Sequence, residues 1–132
     1  MRHLKYLNLW IGIGTVIIVS IWFVSLMPNP PKGPDTTLPM DKIVHFIMYF
    51  TVTLWHCQIT KPDRHFHLFV IFLVMGALIE GIQQISGYRS FEMGDILANG
   101  IGTLTAFMLC KTKVSNLIMI FEERVLTSGR SS

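Results

Sequence analysis

The sequence predicts an all-α membrane protein, a four-transmembrane-helix bundle with an amphipathic helix lying on the membrane surface at its C-terminal end. Three observations carry that prediction. Of 132 residues, 51% are hydrophobic and 14% charged, with a mean hydropathy of +0.50, which is too apolar for an ordinary soluble domain. Four stretches approach the roughly 20 apolar residues that cross a hydrocarbon core. The lysines and arginines, finally, divide unevenly between the segments joining those stretches. The length leaves room for one domain, 1–132.

The first span, about 7–27, carries no charge, and Gly12, Gly14, Thr15, Ser20 and Ser25 are its small or polar interruptions. Arg2, His3 and Lys5 precede it as a basic region precedes a signal sequence. Its length exceeds the usual apolar stretch of such signals, and it ends in Met27-Pro28-Asn29-Pro30, so it reads as an uncleaved anchor. The prolines from Pro28 to Pro34, with Pro39, forbid helix and predict an extended outer loop. The second span, about 42–59, is shorter and more polar, with His45 near its start and Trp55 and His56 near its end. Lys61-Pro62-Asp63 then signals a turn and a helix start. The third span, about 66–85, is clean from Leu68 to Ile79 and turns polar at Glu80; the fourth, about 95–110, opens on an acid. Beyond Lys113, the residues Val114, Leu117, Ile118, Phe121 and Val125 share one helical face, predicting an interfacial helix over about 114–126 on the inner surface. The tail from Thr127 to Ser132 is expected to be disordered.

Basic residues in short loops favour the cytoplasmic side. Four spans with the N-terminus inside put Arg2, Lys5, Lys61, Arg64, Lys111, Lys113, Arg124 and Arg130 in the cytoplasm and Lys32, Lys42 and Arg89 outside. Both termini are thus expected inside. The net charge of +3 is mostly this topology signal, and nothing in it suggests nucleic acid. Cys57 and Cys110 fall at cytoplasmic helix ends, where thiols stay reduced. His56, His65 and His67 look too scattered for a metal site, so neither metal nor cofactor is expected.

Three polar groups remain. Asp41, His45 and Tyr49 lie at i, i+4 and i+8 with Lys42 beside them; Glu80, Gln83 and Gln84 lie at i, i+3 and i+4; Asp95, Asn99 and Gly102 lie at i, i+4 and i+7. The second and fourth spans start outside and the third ends there, so the three groups converge at one level, under a loop that carries Arg89. Singly, Asp41 and Asp95 suit first helical turns and Tyr49 suits an interface. Glu80 and Asn99 need more, because intramembrane polar groups are costly and face a bundle interior or a wet cavity. A cation, Arg89 or His45, is the expected partner of Glu80. Gly102-x-x-x-Ala106 puts two small residues on the face of Asp95 and Asn99, which predicts that this face packs inward.

Asp41-Lys42-x-x-His45-x-x-x-Tyr49, Glu80-x-x-Gln83, and Arg89 followed by Asp95-x-x-x-Asn99-x-x-Gly102 together resemble the VanZ-like family of small bacterial membrane proteins, in motif order and spacing over roughly residues 38–106. Thr105 and Ala106 stand where members often have a second glycine. The resemblance implies a multi-pass protein of the bacterial cytoplasmic membrane with a link to resistance to the glycopeptide teicoplanin. It also puts Asp41, Lys42, His45, Tyr49, Glu80, Gln83, Arg89, Asp95 and Asn99 on signature positions.

The leading functional expectation is an outward-facing pocket for the anionic head group of an envelope lipid or lipid-linked cell-wall precursor. In it Lys42 and Arg89 hold phosphate while Glu80, Gln83 and Asn99 orient the rest. His45 and Glu80 are the candidates for acid–base catalysis, although no nucleophile or metal-ligand pattern supports a particular reaction. The competing expectation is a structural or accessory membrane protein whose polar cluster is a helix-packing network. A proton-coupled transporter ranks last, since no polar chain continues to the inner side.

Overall fold

The computed structural model describes residues 1–28, 39–87 and 92–128, the last three of these by backbone alone. The segment 29–38, where an extended outer loop is expected, Arg89 and the residues from 129 lie outside the described residues. Five α-helices follow one another: α1 (Leu7–Leu26), α2 (Met40–Ile59), α3 (His65–Ser86), α4 (Met93–Cys110) and α5 (Leu117–Ser128). Short 3₁₀ turns at Pro62–Arg64 and Lys113–Asn116 lead into α3 and α5. The bounds differ from the sequence reading by a few residues, for local reasons. Helix α4 starts at Met93 because Glu92, not Asp95, is its N-terminal flanking residue. Residues Lys113–Asn116 wind more tightly than an α-helix, so α5 starts at Leu117 rather than 114. Thr127 and Ser128 belong to α5, correcting the expectation that the tail begins at Thr127.

Helix ends follow their residues. Pro28 stops the chain just past α1, and Gly87 closes α3 in the left-handed conformation, φ 70°, that a glycine adopts without steric cost. Pro39 flanks the start of α2 and its carbonyl accepts from the Ile43 N–H at 3.2 Å.

Helix α2 is the centre of the bundle, touching α1, α3, α4 and α5. A core of Ile21, Tyr49, Val52, Phe72, Met75 and Ile79 joins α1, α2 and α3. The closest approach is between α2 and α4 at Gly102, where an added Cβ would lie 2.4 Å from the Phe46 carbonyl oxygen. Only a residue without a side chain lets the two backbones meet there, and Ala106, fully buried one turn on, extends the contact. This intimacy holds the starts of α2 and α4 side by side.

The outer surface is apolar. Val16, Val19 and Phe23 of α1, Val70, Val74 and Leu78 of α3, and Leu97, Ile101 and Met108 of α4 are all exposed. Helix α1, the segment Pro62–Ser86 and α4 are each long and apolar enough to cross a membrane. Helix α2 has the same 20 residues as α1 but falls outside that group, since Asp41, Lys42, His45, His56 and Gln58 dilute its apolar content. Its polarity is carried inward: His45, Tyr49, Thr53 and Gln58 are buried among the other helices. On α5, Leu117, Phe121 and Val125 stay exposed while Glu122 is buried against the bundle.

Candidate functional site

The starts of α2 and α4 and the end of α3 meet at one end of the bundle. Lys42 Nζ sits among three carboxylates, 2.8 Å from Asp41 Oδ2, 2.7 Å from Glu92 Oε2 and 3.4 Å from Asp95 Oδ1. Its chain passes over Gly94, where an added Cβ would lie 2.5 Å from Lys42 Cε, so glycine at that position keeps the path open. Asp41, in the first turn of α2, is well placed against the positive end of the helix dipole.

One turn deeper, His45 links the same two helices. Its Nδ1 lies 3.0 Å from Asn99 Oδ1 and its Nε2 3.5 Å from Asp95 Oδ2, so both ring nitrogens face oxygen. Asp95 therefore stands between Lys42 and His45. As the third residue of α4, an acid would ordinarily reach back to the free N–H of the residue before the helix. Here another residue has taken that position: Glu80 Oε1, from α3, accepts from the Glu92 N–H at 2.8 Å. The cap is supplied by a different helix, which releases Asp95 for Lys42 and His45.

A second turn down, Tyr49 of α2 and Asn99 of α4 close around Gly76 of α3. An added Cβ there would lie 3.2 Å from the Tyr49 ring and 3.3 Å from Asn99. Tyr49 is fully buried and Glu80 is 1% exposed, the two lie within electrostatic reach, and among the described residues neither the Tyr49 hydroxyl nor Glu80 Oε2 has a hydrogen-bond partner.

The structure thus brings together Asp41, Lys42, His45, Asp95 and Asn99 by direct contact, with Tyr49 and Glu80 beneath and beside them. Two expectations are corrected. His45 is engaged by Asp95 and Asn99 rather than by Glu80, whose described partner is a backbone N–H. The other proposed partner, Arg89, lies outside the described residues. Gln83 is buried but works elsewhere: its Nε2 donates to the Ser25 carbonyl at 2.6 Å, satisfying one of the free carbonyls at the end of α1. Gln84 is exposed. Glu92 is the functional candidate that the sequence reading missed; an acid flanking the start of α4, beside Lys42's helix, was the available signal. Among the described residues the cluster holds four carboxylates, Asp41, Glu80, Glu92 and Asp95, against Lys42 and His45. It is richer in acceptors than in donors.

The VanZ/LLP1 family model matches residues 4–119, which includes every helix of the bundle and the first residues of α5. An uncharacterized protein of Schizosaccharomyces pombe is 29% identical over 99 residues, 70% of this chain and 61% of that protein. The chain therefore spans about three fifths of that relative's length. No solved structure matches.

Proposed function

This chain belongs to the VanZ/LLP1 family, and from that premise we propose that it is a four-span membrane protein whose polar cluster binds the head group of an envelope lipid. Helix α2, at 20 residues and about 1.5 Å per residue, matches a hydrocarbon core of about 30 Å. Its polar side chains are shielded by its neighbours, so it crosses as the inner member of the bundle. The bias of basic residues puts both termini on the cytoplasmic side and the cluster on the outer face of the cytoplasmic membrane. Helix α5 lies along the inner surface, with exposed Leu117, Phe121 and Val125 in the lipid.

The observation that carries the reading is a pair of buried groups that have no partner among the described residues, Glu80 Oε2 and the Tyr49 hydroxyl. A buried polar atom without a partner costs about 1–3 kcal/mol. A ligand hydroxyl or amine that reaches them recovers that cost. The excess of carboxylates means the head group is met first from its hydroxyl or amine side. Its phosphate falls to Lys42, whose ammonium already bridges both helices, and to Arg89, which can grip it with two parallel hydrogen bonds. A lipid-linked cell-wall precursor is one such head group, and binding it would connect the site to teicoplanin resistance. The relative in a fungus points to a chemistry that is not confined to one kind of envelope. His45 and Glu80 are the groups a catalytic version would use.

The test is the lipid that remains bound after purification in detergent, identified by mass spectrometry. The wild type is expected to retain one phosphorylated lipid class, lost in Glu80→Ala and Arg89→Ala proteins of unchanged helical content. A lipid complement that simply mirrors the host membrane in all three would leave the second reading, a packing network. That reading has its own support in the Glu80 and Gln83 bonds, which serve helix ends rather than a ligand.

A further inference from the structure

The opposite end of the bundle brings together three residues that the sequence holds far apart. Cys57 near the end of α2, His65 at the start of α3 and Cys110 at the end of α4 are all buried, at 0%, 4% and 3% exposure. Their two Sγ atoms and a ring nitrogen all lie within 4.8 Å of one another. From this geometry we propose that Cys57, His65 and Cys110 form a binding site for a soft metal ion, Zn²⁺ or Cu⁺, at the inner end of the bundle.

Two thiolates and an imidazole are the donor set that selects such ions over hard cations. Zinc bonds of about 2.3 Å to sulfur and 2.0 Å to nitrogen hold tetrahedral ligands under about 4 Å apart, so the three must close by about 1 Å at most. A closure of that size is within the reach of a change of cysteine χ1. His65 already makes the kind of ring N–H to carbonyl contact that metal-bound histidines use. Its Nε2 lies 3.1 Å from each of the Cys57 and Thr60 carbonyl oxygens, which places the proton on Nε2 and the lone pair on Nδ1. Binding through Nδ1 keeps both carbonyl bonds, and binding through Nε2 exchanges them for the metal. A cavity of about 300 Å³ borders His65 and Cys110 and is also lined by Asp63, leaving room for a fourth ligand, water or carboxylate. The Arg2 guanidinium, held by the Thr60 carbonyl and by Asn116 and Ser115 on the cavity wall, lies within electrostatic reach of both sulfurs and offsets their negative charge. On binding, each thiol releases its proton to solvent and its sulfur donates a lone pair to the metal, with no change of oxidation state.

The site would tie α2, α3 and α4 together at the end where the lipid site is not, and it does not depend on the lipid reading. The test uses the full-length protein in detergent with its thiols reduced, titrated with Cd²⁺ as a spectroscopic probe and then with Zn²⁺. One Cd²⁺ per chain should bind with a thiolate-to-metal charge-transfer band, and Zn²⁺ should displace it. The band should vanish in the Cys57→Ser/Cys110→Ser double variant, and His65→Ala should weaken binding by at least about tenfold. Independently of any variant, Zn²⁺ should protect both wild-type thiols from alkylation. Absence of the band in the wild type, its survival in the double variant, unprotected thiols at saturating Zn²⁺, or undiminished affinity in His65→Ala would each overturn the proposal.

Discussion

The two ends of the bundle, inner and outer in the proposed topology, handle buried polar groups differently. At the inner end the polar side chains that join the N-terminus, α2 and α5 are paired: Glu122 of α5 accepts from the Lys5 and Tyr6 N–H groups and the Trp10 indole at 2.7, 3.0 and 2.7 Å. Gln58 donates to the Val114 carbonyl and accepts from the Ile118 N–H, and Arg2 binds the Thr60 carbonyl, Asn116 and Ser115. At the outer end the carboxylates also form a network, but among the described residues Glu80 Oε2, the Tyr49 hydroxyl and, in the last turn of α1, Ser25 Oγ are left over, as is Thr53 Oγ1 farther along α2. Saturated polar contacts fix helix positions, and leftover ones mark where something else can bind. The difference separates scaffold from site without appeal to the polarity of either end.

That contrast can be broken first at the crossing both ends depend on. Gly102→Val would drive a side chain into the Phe46 carbonyl and part α2 from α4. A loss of about 3 kcal/mol, read as a large fall in detergent thermal stability, is expected, with both ends disturbed together. A variant that melts like the wild type would show that the two helices are not packed this closely.

Next in size is the inner end alone. Glu122 is covered by its neighbours yet shallow, near the edge of the bundle. Glu122→Ala leaves three donors to find water, a loss of about 2 kcal/mol, and should leave the lipid retention proposed for the other end unchanged. Loss of the lipid in this variant would mean the ends are not independent.

The converse variant is Glu80→Gln. It keeps an acceptor for the Glu92 N–H, so stability should move by less than about 1 kcal/mol while lipid retention falls. A protein that keeps its lipid but melts far lower would assign Glu80 to the scaffold.

The smallest effect is a pH dependence confined to the inner end. Burial works to raise the Glu122 carboxyl, but the hydrogen bonds from Trp10, Tyr6 and Lys5 and the Lys5 charge outweigh it and hold the group below its ordinary 4.5. A lowered folded value means this stabilisation is complete above 4.5 and fades as the pH falls through the folded value. The stability advantage of wild type over Glu122→Gln should therefore be flat near neutrality and shrink only in acid. An advantage that grows in acid would reverse the assignment.

Much of the architecture was legible in residue order. The length and apolar content of α1, α3 and α4, the proline stop after α1 and the inward face of Gly102 and Ala106 are local properties, written in periods that a chain shows before it folds. The common level of Lys42, His45, Asp95 and Asn99 followed from alternating span direction and rise per residue. What required the tertiary structure were the pairings. Side-chain partners depend on rotation and contact between helices, which spacing along one helix does not encode. So Glu80 caps α4 instead of meeting His45, Gln83 turns to α1, and Glu92, marked in the chain only as an acid flanking the start of α4, joins Lys42. Cys57, His65 and Cys110 show the same limit. Separated by 8 and 45 residues they form no motif, and they meet because α2, α3 and α4 turn their ends to one point. The sequence by itself determined which faces are polar and at what depth. Only the packing of α2 against its neighbours decided which polar group satisfies which, because a hydrogen bond is set by a few tenths of an ångström and a few tens of degrees, and helical periodicity resolves neither.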